Sequence, residues 1–291
     1  MHRSLALLFA LFPAVAFAGD AIVVDAGGKE IALKKWSIAA GTVKPAWLNS
    51  EALAFRDTNS TGFRDGVVTL IPLDRLESLT YDAEKQIVRA KVAGVETPLE
   101  GWTRFQGINH FAITAEVDKG GAGVVELKYQ GGPGKGGIKS ITFTGAAAAE
   151  APKGEKIFVV IADGKKAEPP QSVHDLKALY KLDKIGEAHS PTLMFKKTYK
   201  LDLGQVKKMT VHEEAGQKGF ECEVTQKDGT TETLSLLTSM PLDGKPATLE
   251  GLLGEVPAGW KMFPIHTVAE INRDEPKQDK EPKRQGDKEK R

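Results

Sequence analysis

The feature that most constrains the fold is a short phrase written four times: an aliphatic residue or Met, two residues, another of the same kind, then Thr or Asn. It occurs at Leu76-Glu77-Ser78-Leu79-Thr80, Ile138-Lys139-Ser140-Ile141-Thr142, Val206-Lys207-Lys208-Met209-Thr210 and Val268-Ala269-Glu270-Ile271-Asn272. Leu79 and Ile141 are 62 residues apart, Met209 and Ile271 are also 62 apart, and the two intervals are offset by 130. Equal spacing of this kind marks an internal duplication, so the phrase is expected to open and close each of two related halves. "EALAF" ending at Phe55 and "PTLMF" ending at Phe195 extend the likeness upstream.

Around the phrase, "IPLDRLESLT" (71–80) and "FPIHTVAEIN" (263–272) share a proline at their second position. "VVTLIPL" is rich in β-branched and aliphatic residues, and Pro72, which has no N–H to donate, suits an edge or the end of a strand. Asp74 and Arg75 suit a polar turn. "LESLTYD" then alternates apolar Leu79 and Tyr81 with polar Ser78 and Thr80, the period of a half-buried strand. Leu73, Leu76 and Leu79 are also spaced three apart, and a single helical turn between two strands satisfies both patterns.

The rest of the chain reads the same way. "QIVRAKVAG", "HFAITAEVD" and "GVVELKYQG" are strand-like and punctuated by Gly and Asp. "GFECEVTQKDGTTETLSLL" is a hairpin about Asp228-Gly229, a favoured tight-turn pair. One helix is expected at "SVHDLKALYKL" (172–182), capped by Ser172 with Asp175 at its third position, Val173, Leu176 and Leu179-Tyr180 forming one face. The expected fold is mainly β: two related β-barrel or β-sandwich domains with a short helix in the second. The first spans 19–145 and the second 157–272. The stretch 146–156 lacks large apolar groups and reads as a linker. Residues 273–291, "RDEPKQDKEPKRQGDKEKR", hold eight bases and six acids and no side chain that could join a core, so a disordered, solubilising tail is expected, removable without loss of thermal stability.

The N-terminal "MHRSLALLFALFPAVAFAGD" has a basic start at Arg3, an apolar run from Leu5 to Phe17 and small residues at Ala16 and Ala18. That is the layout of a signal peptide over 1–18, cleaved near Ala18, and the run is shorter than the roughly 20 residues a spanning helix needs. An exported protein, periplasmic or extracellular, is expected, with no membrane span. Cleavage takes one base from 40 Lys and Arg against 39 Asp and Glu, leaving the charges balanced. A neutral chain has no bulk field to attract nucleic acid. Cys222 is the only cysteine, so no internal disulfide can form and stability must come from a core, which favours a bacterial source for an exported chain.

The motifs for chemistry are sparse. "GGPGKGG" (131–137) has the glycines of a dinucleotide fingerprint but precedes a strand, where that motif needs a helix, and reads as a hairpin loop. In "DTNSTGFRD", Asp57, Asn59, Thr61 and Asp65 stand at positions 1, 3, 5 and 9 with Gly62 at 6, the first part of a calcium loop, but Val68 stands where the bidentate Glu belongs. The alternative is a polar loop bonded to its own backbone. No cofactor is indicated beyond that calcium. The six histidines form no metal-ligating pair, and His266 occupies the turn position that Asp74 holds in the first half. Cys222 alternates with Phe220 and Val224 and reads as a buried thiol. Acids at Asp57, Asp65, Asp74, Glu77 and Asp82 would serve a glycosidase only if two opposed each other across a cleft. Trp36, Trp47, Trp102 and Trp260 would fill cores or, on an exposed face, stack on sugar rings.

The stretch "ALAFRDTNSTGFRDGVVTLIPLDRLESLTYD" resembles segments of uncharacterised secreted bacterial β-rich proteins. The resemblance covers part of the first half and implies export and β structure, with no activity. Two functions follow as expectations: a non-enzymatic exported structural or binding protein, its partner a cell-envelope polymer or another exported protein, or a hydrolase of extracellular polymer using carboxylates between Asp57 and Asp82.

Overall fold

In a computed structural model the chain is mainly β. The structure describes residues 21–38, 42–45, 47–48, 50–57, 66–82, 84–85, 87–103, 112–118, 122–128, 138–163, 166–182, 186–213, 219–242 and 244–274. The signal-like segment, the glycine loop 131–137 and most of the candidate calcium loop lie outside the described residues. Among those described, helical turns are limited to three-residue 3-10 segments.

The chain divides into two compact units, the first made of residues 1–151 and 257–262 and the second of 152–256 and 263–291. The main division falls inside the expected linker. The segment 257–262, expected in the second domain, groups instead with the first unit.

In the first unit the strands are β1 (Ala21–Asp25), β2 (Glu30–Ile38), β3 (Thr42–Val43), β4 (Ala52–Asp57), β5 (Val68–Pro72), β6 (Leu76–Asp82), β7 (Ile87–Val92), β8 (Leu99–Thr103), β9 (Ala112–Asp118), β10 (Ala122–Lys128) and β11 (Ile138–Phe143). They pair antiparallel in the order β10-β9-β2-β1-β11-β6-β7-β8-β4-β5, with β3 beside the start of β4. The second unit holds β12 (Lys156–Asp163), β13 (Lys166–Ala167), β14 (Gln171–Leu182), β15 (Gly186–Ser190), β16 (Thr192–Phe195), β17 (Tyr199–Asp202), β18 (Val206–Glu213), β19 (Phe220–Gln226), β20 (Thr231–Leu236), β21 (Ser239–Leu242), β22 (Lys245–Val256), β23 (Gly259–Pro264, shared with the first unit through 259–262) and β24 (Val268–Asn272). Its ladder runs β17-β16-β20-β19-β18-β24-β12-β14-β22-β21. Among the described residues no pairing joins the ends of either ladder.

The recurring phrase has one structural meaning at all four places. Each lies on a strand whose second phrase residue is the extra residue of a β-bulge: Leu76 and Ser78 oppose the adjacent Val92 and Lys91, and Val206 and Lys208 oppose Gln226 and Thr225. Ile138 and Ser140 oppose Asp25 and Val24, and Val268 and Glu270 oppose Ile161 and Val160. Residues three apart on a regular strand face opposite ways. One bulged residue shifts the phase, so the two apolar positions of a phrase fall on one face of the strand. Leu76, Leu79, Ile141, Val206, Met209, Val268 and Ile271 are all at most 4% exposed. Burial of each such side chain stabilises the fold by roughly 1.5–3 kcal/mol. The residues 62 apart are direct partners: Leu79 faces Ile141, and Met209 faces Ile271.

Three phrases are preceded by a 3-10 turn, Leu73–Arg75, Leu203–Gln205 and Ile265–Thr267. Each buries its first residue and is closed by the N–H of Leu76, Val206 or Val268 donating to that residue's carbonyl. The spacing of Leu73, Leu76 and Leu79 thus records a turn followed by a bulge, and His266 and Asp74 are exposed within such turns.

The helix expected at 172–182 is the strand β14, paired with β22 along most of its length. Its period-three spacing comes from a second kind of bulge. His174 and Lys177 oppose Glu255 and Leu253, leaving one extra residue on β14, and Asp175 takes a left-handed φ of 47°, which Asp tolerates better than most residues. Val173 and Leu176 therefore share the core face. The hairpin at Asp228-Gly229 forms as read, with Gly229 at φ 91° and the Asp228 carboxylate accepting from the Thr230 N–H at 2.8 Å.

Candidate functional site

In the first unit, cross-strand register sorts side chains onto two faces. One carries the core: Leu53, Phe55, Ile71, Leu79, Val88, Ala90 and Ile141 are each at most 1% exposed. The other gathers three of the four tryptophans. Trp102 on β8 is opposite Arg56 on β4, Arg56 is opposite Val68 on β5, and Val68 is opposite Met262; one step along, Ala54, Leu70 and Trp260 line up. Trp47, Leu48, Trp260 and Met262 pack over Ala52, Ala54, Val68 and Leu70, the two indole rings meeting edge to face at 5.3 Å. All three tryptophans are half-buried. Residue 36 lies on β2, and its side chain is outside the described residues.

On the same face, next to Trp102, an ionic ladder crosses β8, β7 and β6. Glu100 lies directly opposite Arg89 and accepts from its Nε at 2.8 Å, and Arg89 reaches Asp82 at 3.0 Å. Lys85 stands 3.9 Å from Glu100, and Lys91 pairs with Glu77 at 2.7 Å. The Lys85 N–H, then the Arg89 charge and the Glu84 N–H, hold the Asp82 carboxyl below the usual aspartate range. These pairs are half-exposed, so their worth is positional more than energetic.

This arrangement bears on the expected site residues one by one. Glu77 and Asp82 are engaged by cations, and Asp74 is exposed on its turn. A glycosidase pairs a carboxyl kept protonated with one kept ionised, and the lowered Asp82 suits only the second role. Asp57 closes β4, its side chain undescribed, and Asn59, Thr61 and Asp65 lie outside the described residues, so the calcium loop has no geometry here. Among the described residues no three His, Cys, Asp or Glu side chains gather as metal ligands. Cys222 is buried, and burial, then Glu221, pushes its thiol up to about 12. In native protein it should resist iodoacetamide at pH 8 and react only on unfolding; rapid labelling without loss of fold would contradict this placement.

Residue 273, assigned by charge to the tail, is part of the fold. The Arg273 side chain is 8% exposed; it donates to the carbonyls of Val206, Leu203 and Gly204 and to Glu155, which also accepts from Lys227 at 2.8 Å. Charge alone could not show that the carbonyls of a 3-10 turn need a donor at that point. Ending the chain after Asp274 should leave the melting temperature unchanged, whereas Arg273→Ala should cost on the order of 2–3 kcal/mol, the loss of charged hydrogen bonds in a buried place. Equal melting temperatures for the two variants would show that the clamp is idle.

The tryptophan cluster was missed because its members are far apart in sequence, 47, 102 and 260. The one available signal was the recurrence of proline before the phrase, which places a strand, and Trp260 on it, ahead of Pro264. Among the described residues no helix is long and apolar enough to cross a membrane. No family model, no curated protein and no solved structure matches the chain.

Proposed function

We propose that this is an exported, non-enzymatic binding protein built from two related β units, and that the tryptophan-bearing face of the first unit is its binding surface. The observation that carries the reading is the collection of Trp47, Trp102 and Trp260 on one sheet face, the last supplied by the segment 257–262 that leaves the second half of the sequence to join this unit. All four tryptophans of the chain fall in that unit. Trp47 and Trp260 cap a small buried cluster, and Trp102, half-buried at its border beside ordered charges, sets a ring next to hydrogen-bonding groups as recognition surfaces do.

Relatedness of the units rests on the four bulged phrases and on the matching pairs Leu79–Ile141 and Met209–Ile271. The second unit's corresponding face carries Thr210, His212, Glu221, Glu223, Thr233 and Ser235 and no tryptophan, as expected of two copies that diverged. The partner fitting this reading is a cell-envelope polymer.

Export is tested by the mature N-terminus, expected at Gly19; mass spectrometry finding Met1 on protein recovered outside the cytoplasm would overturn it. Binding is tested by co-sedimentation of the full mature chain with isolated cell envelopes. Retention that Trp102→Ala abolishes supports the reading, and absence of retention refutes it.

A further inference from the structure

We propose that the ligand of this face is an uncharged glycan chain, read by Trp102 together with the Asp82–Arg89–Glu100 ladder. The inference rests on the binding reading above and names its ligand class.

The charges are balanced. Lys85, Arg89 and Lys91 stand among Glu77, Asp82 and Glu100, all joined in pairs at 2.7–3.9 Å. A polyanion would call for net positive charge and would release counterions on binding. A cationic ligand would call for net negative charge. A paired carboxylate and guanidinium side by side offer an acceptor-only group next to a donor-only group. Neighbouring sugar hydroxyls, each able to donate and accept, match both at once.

Peptide recognition by strand addition is closed at this place. Each of β6, β7 and β8 is paired on both sides, β6 to β7 and β11, β7 to β6 and β8, β8 to β7 and β4. No backbone edge is left for an incoming strand, so only side chains can read a ligand. Those side chains are accessible: Arg89 is 43% and Glu100 40% exposed. Trp102 is two residues from Glu100 on the same strand and so on the same face, diagonal to Arg89 at about 7–8 Å for such positions. A ring at that distance from hydrogen-bonding groups can take the apolar C–H side of a sugar while the ladder takes its hydroxyls. Beyond Trp102 the face is buried under Trp47, Leu48, Trp260 and Met262, so the accessible part crosses β6, β7 and β8, about 10 Å at the usual strand spacing, enough for one or two rings of a glycan chain.

The test uses the full mature chain and cellohexaose, maltohexaose and chitohexaose as probes, read by tryptophan fluorescence and calorimetry. At least one hexasaccharide should bind. Trp102→Ala and Arg89→Gln should each weaken it about tenfold or more, a loss of about 1.4 kcal/mol. Raising salt from 50 to 300 mM should leave the affinity nearly unchanged. Glu100→Gln, at a half-exposed position, serves as the second probe should Trp102→Ala fail to fold by circular dichroism. Binding of none of the three, binding indifferent to these variants, or displacement by heparin in a salt-dependent way would overturn the glycan assignment. Should the chain sediment with envelopes while no hexasaccharide competes, the glycan class fails and the binding reading stands; should it not sediment at all, both fail.

Discussion

Gly101→Val should unfold the first unit or cost it at least about 3 kcal/mol, more than the usual overpacking penalty, because the obstacle is backbone. A Cβ at Gly101 would lie 1.8 Å from the Arg56 carbonyl oxygen and 2.9 Å from Phe55 Cε1. Those atoms belong to β4, which pairs with β8 at this point through Phe55–Thr103, Arg56–Trp102 and Asp57–Gly101. Glycine in a strand interior often marks such a close approach, and here an aromatic ring closes over it. Thermal or urea unfolding followed by the near-UV signal measures the effect. Because Glu100 and Trp102 flank the position, the same substitution should also abolish envelope retention. Gly28, where an added Cβ meets nothing, lies at φ 83°, so Gly28→Asn, which tolerates the left-handed region, is the control and should change stability little. A Gly101→Val variant that melts with the parent would mean that β4 and β8 do not pair as described.

How much of this was legible in the sequence differs by distance along the chain. The β class, the hairpin at Asp228-Gly229 and the turn before Leu76 were readable because each depends on a few adjacent residues with fixed φ/ψ demands. The phrase itself was readable as a repeat, and its meaning was partly hidden, since a bulge turns a period of two into an apparent period of three. The same disguise produced the error at 172–182. There Ser172, Asp175 and the spacing of Val173 and Leu176 satisfy a capped helix, and only the pairing with β22 decides against it. Tertiary pairing overrides local preference where a long strand is available on the other side. The binding face could not be read at all. Trp47, Trp102 and Trp260 meet only after β4, β5, β8 and the segment 257–262 have been put in register, and nothing near Trp260 in sequence shows that this segment leaves its own half.

The bulges make a sharper prediction than any substitution at the phrase. Inserting a serine between Ser78 and Leu79 should destabilise the first unit by about 2–5 kcal/mol, the cost of a large aliphatic removed from a core, whereas deleting Glu77 should cost less than the insertion and Glu77→Ala less than about 1 kcal/mol. The reason is phase. With Glu77 present, Leu76 and Leu79 both reach the core, at 0% and 1% exposure. Without it they would be two apart on a regular strand and would still share the core face, whereas an extra residue between Ser78 and Leu79 would turn one leucine to the solvent face, since a one-residue slip reverses every side chain beyond it. The Glu77 side chain adds only a half-exposed pair with Lys91. Inserting a serine between Lys208 and Met209 should act the same way on Val206 and Met209 in the second unit, and Lys207→Ala should be nearly silent, its ion pair with Asp274 being exposed at 3.8 Å. The comparison of insertion with substitution separates the phase of the strand from the side chains it carries. Leu79→Ala and Met209→Ala set the scale, at the same 2–5 kcal/mol. Should the insertions and the alanine substitutions prove equally mild in both units, strand phase would not be what places the phrase's two aliphatics on one face, and the common origin inferred from the four bulges would lose its support.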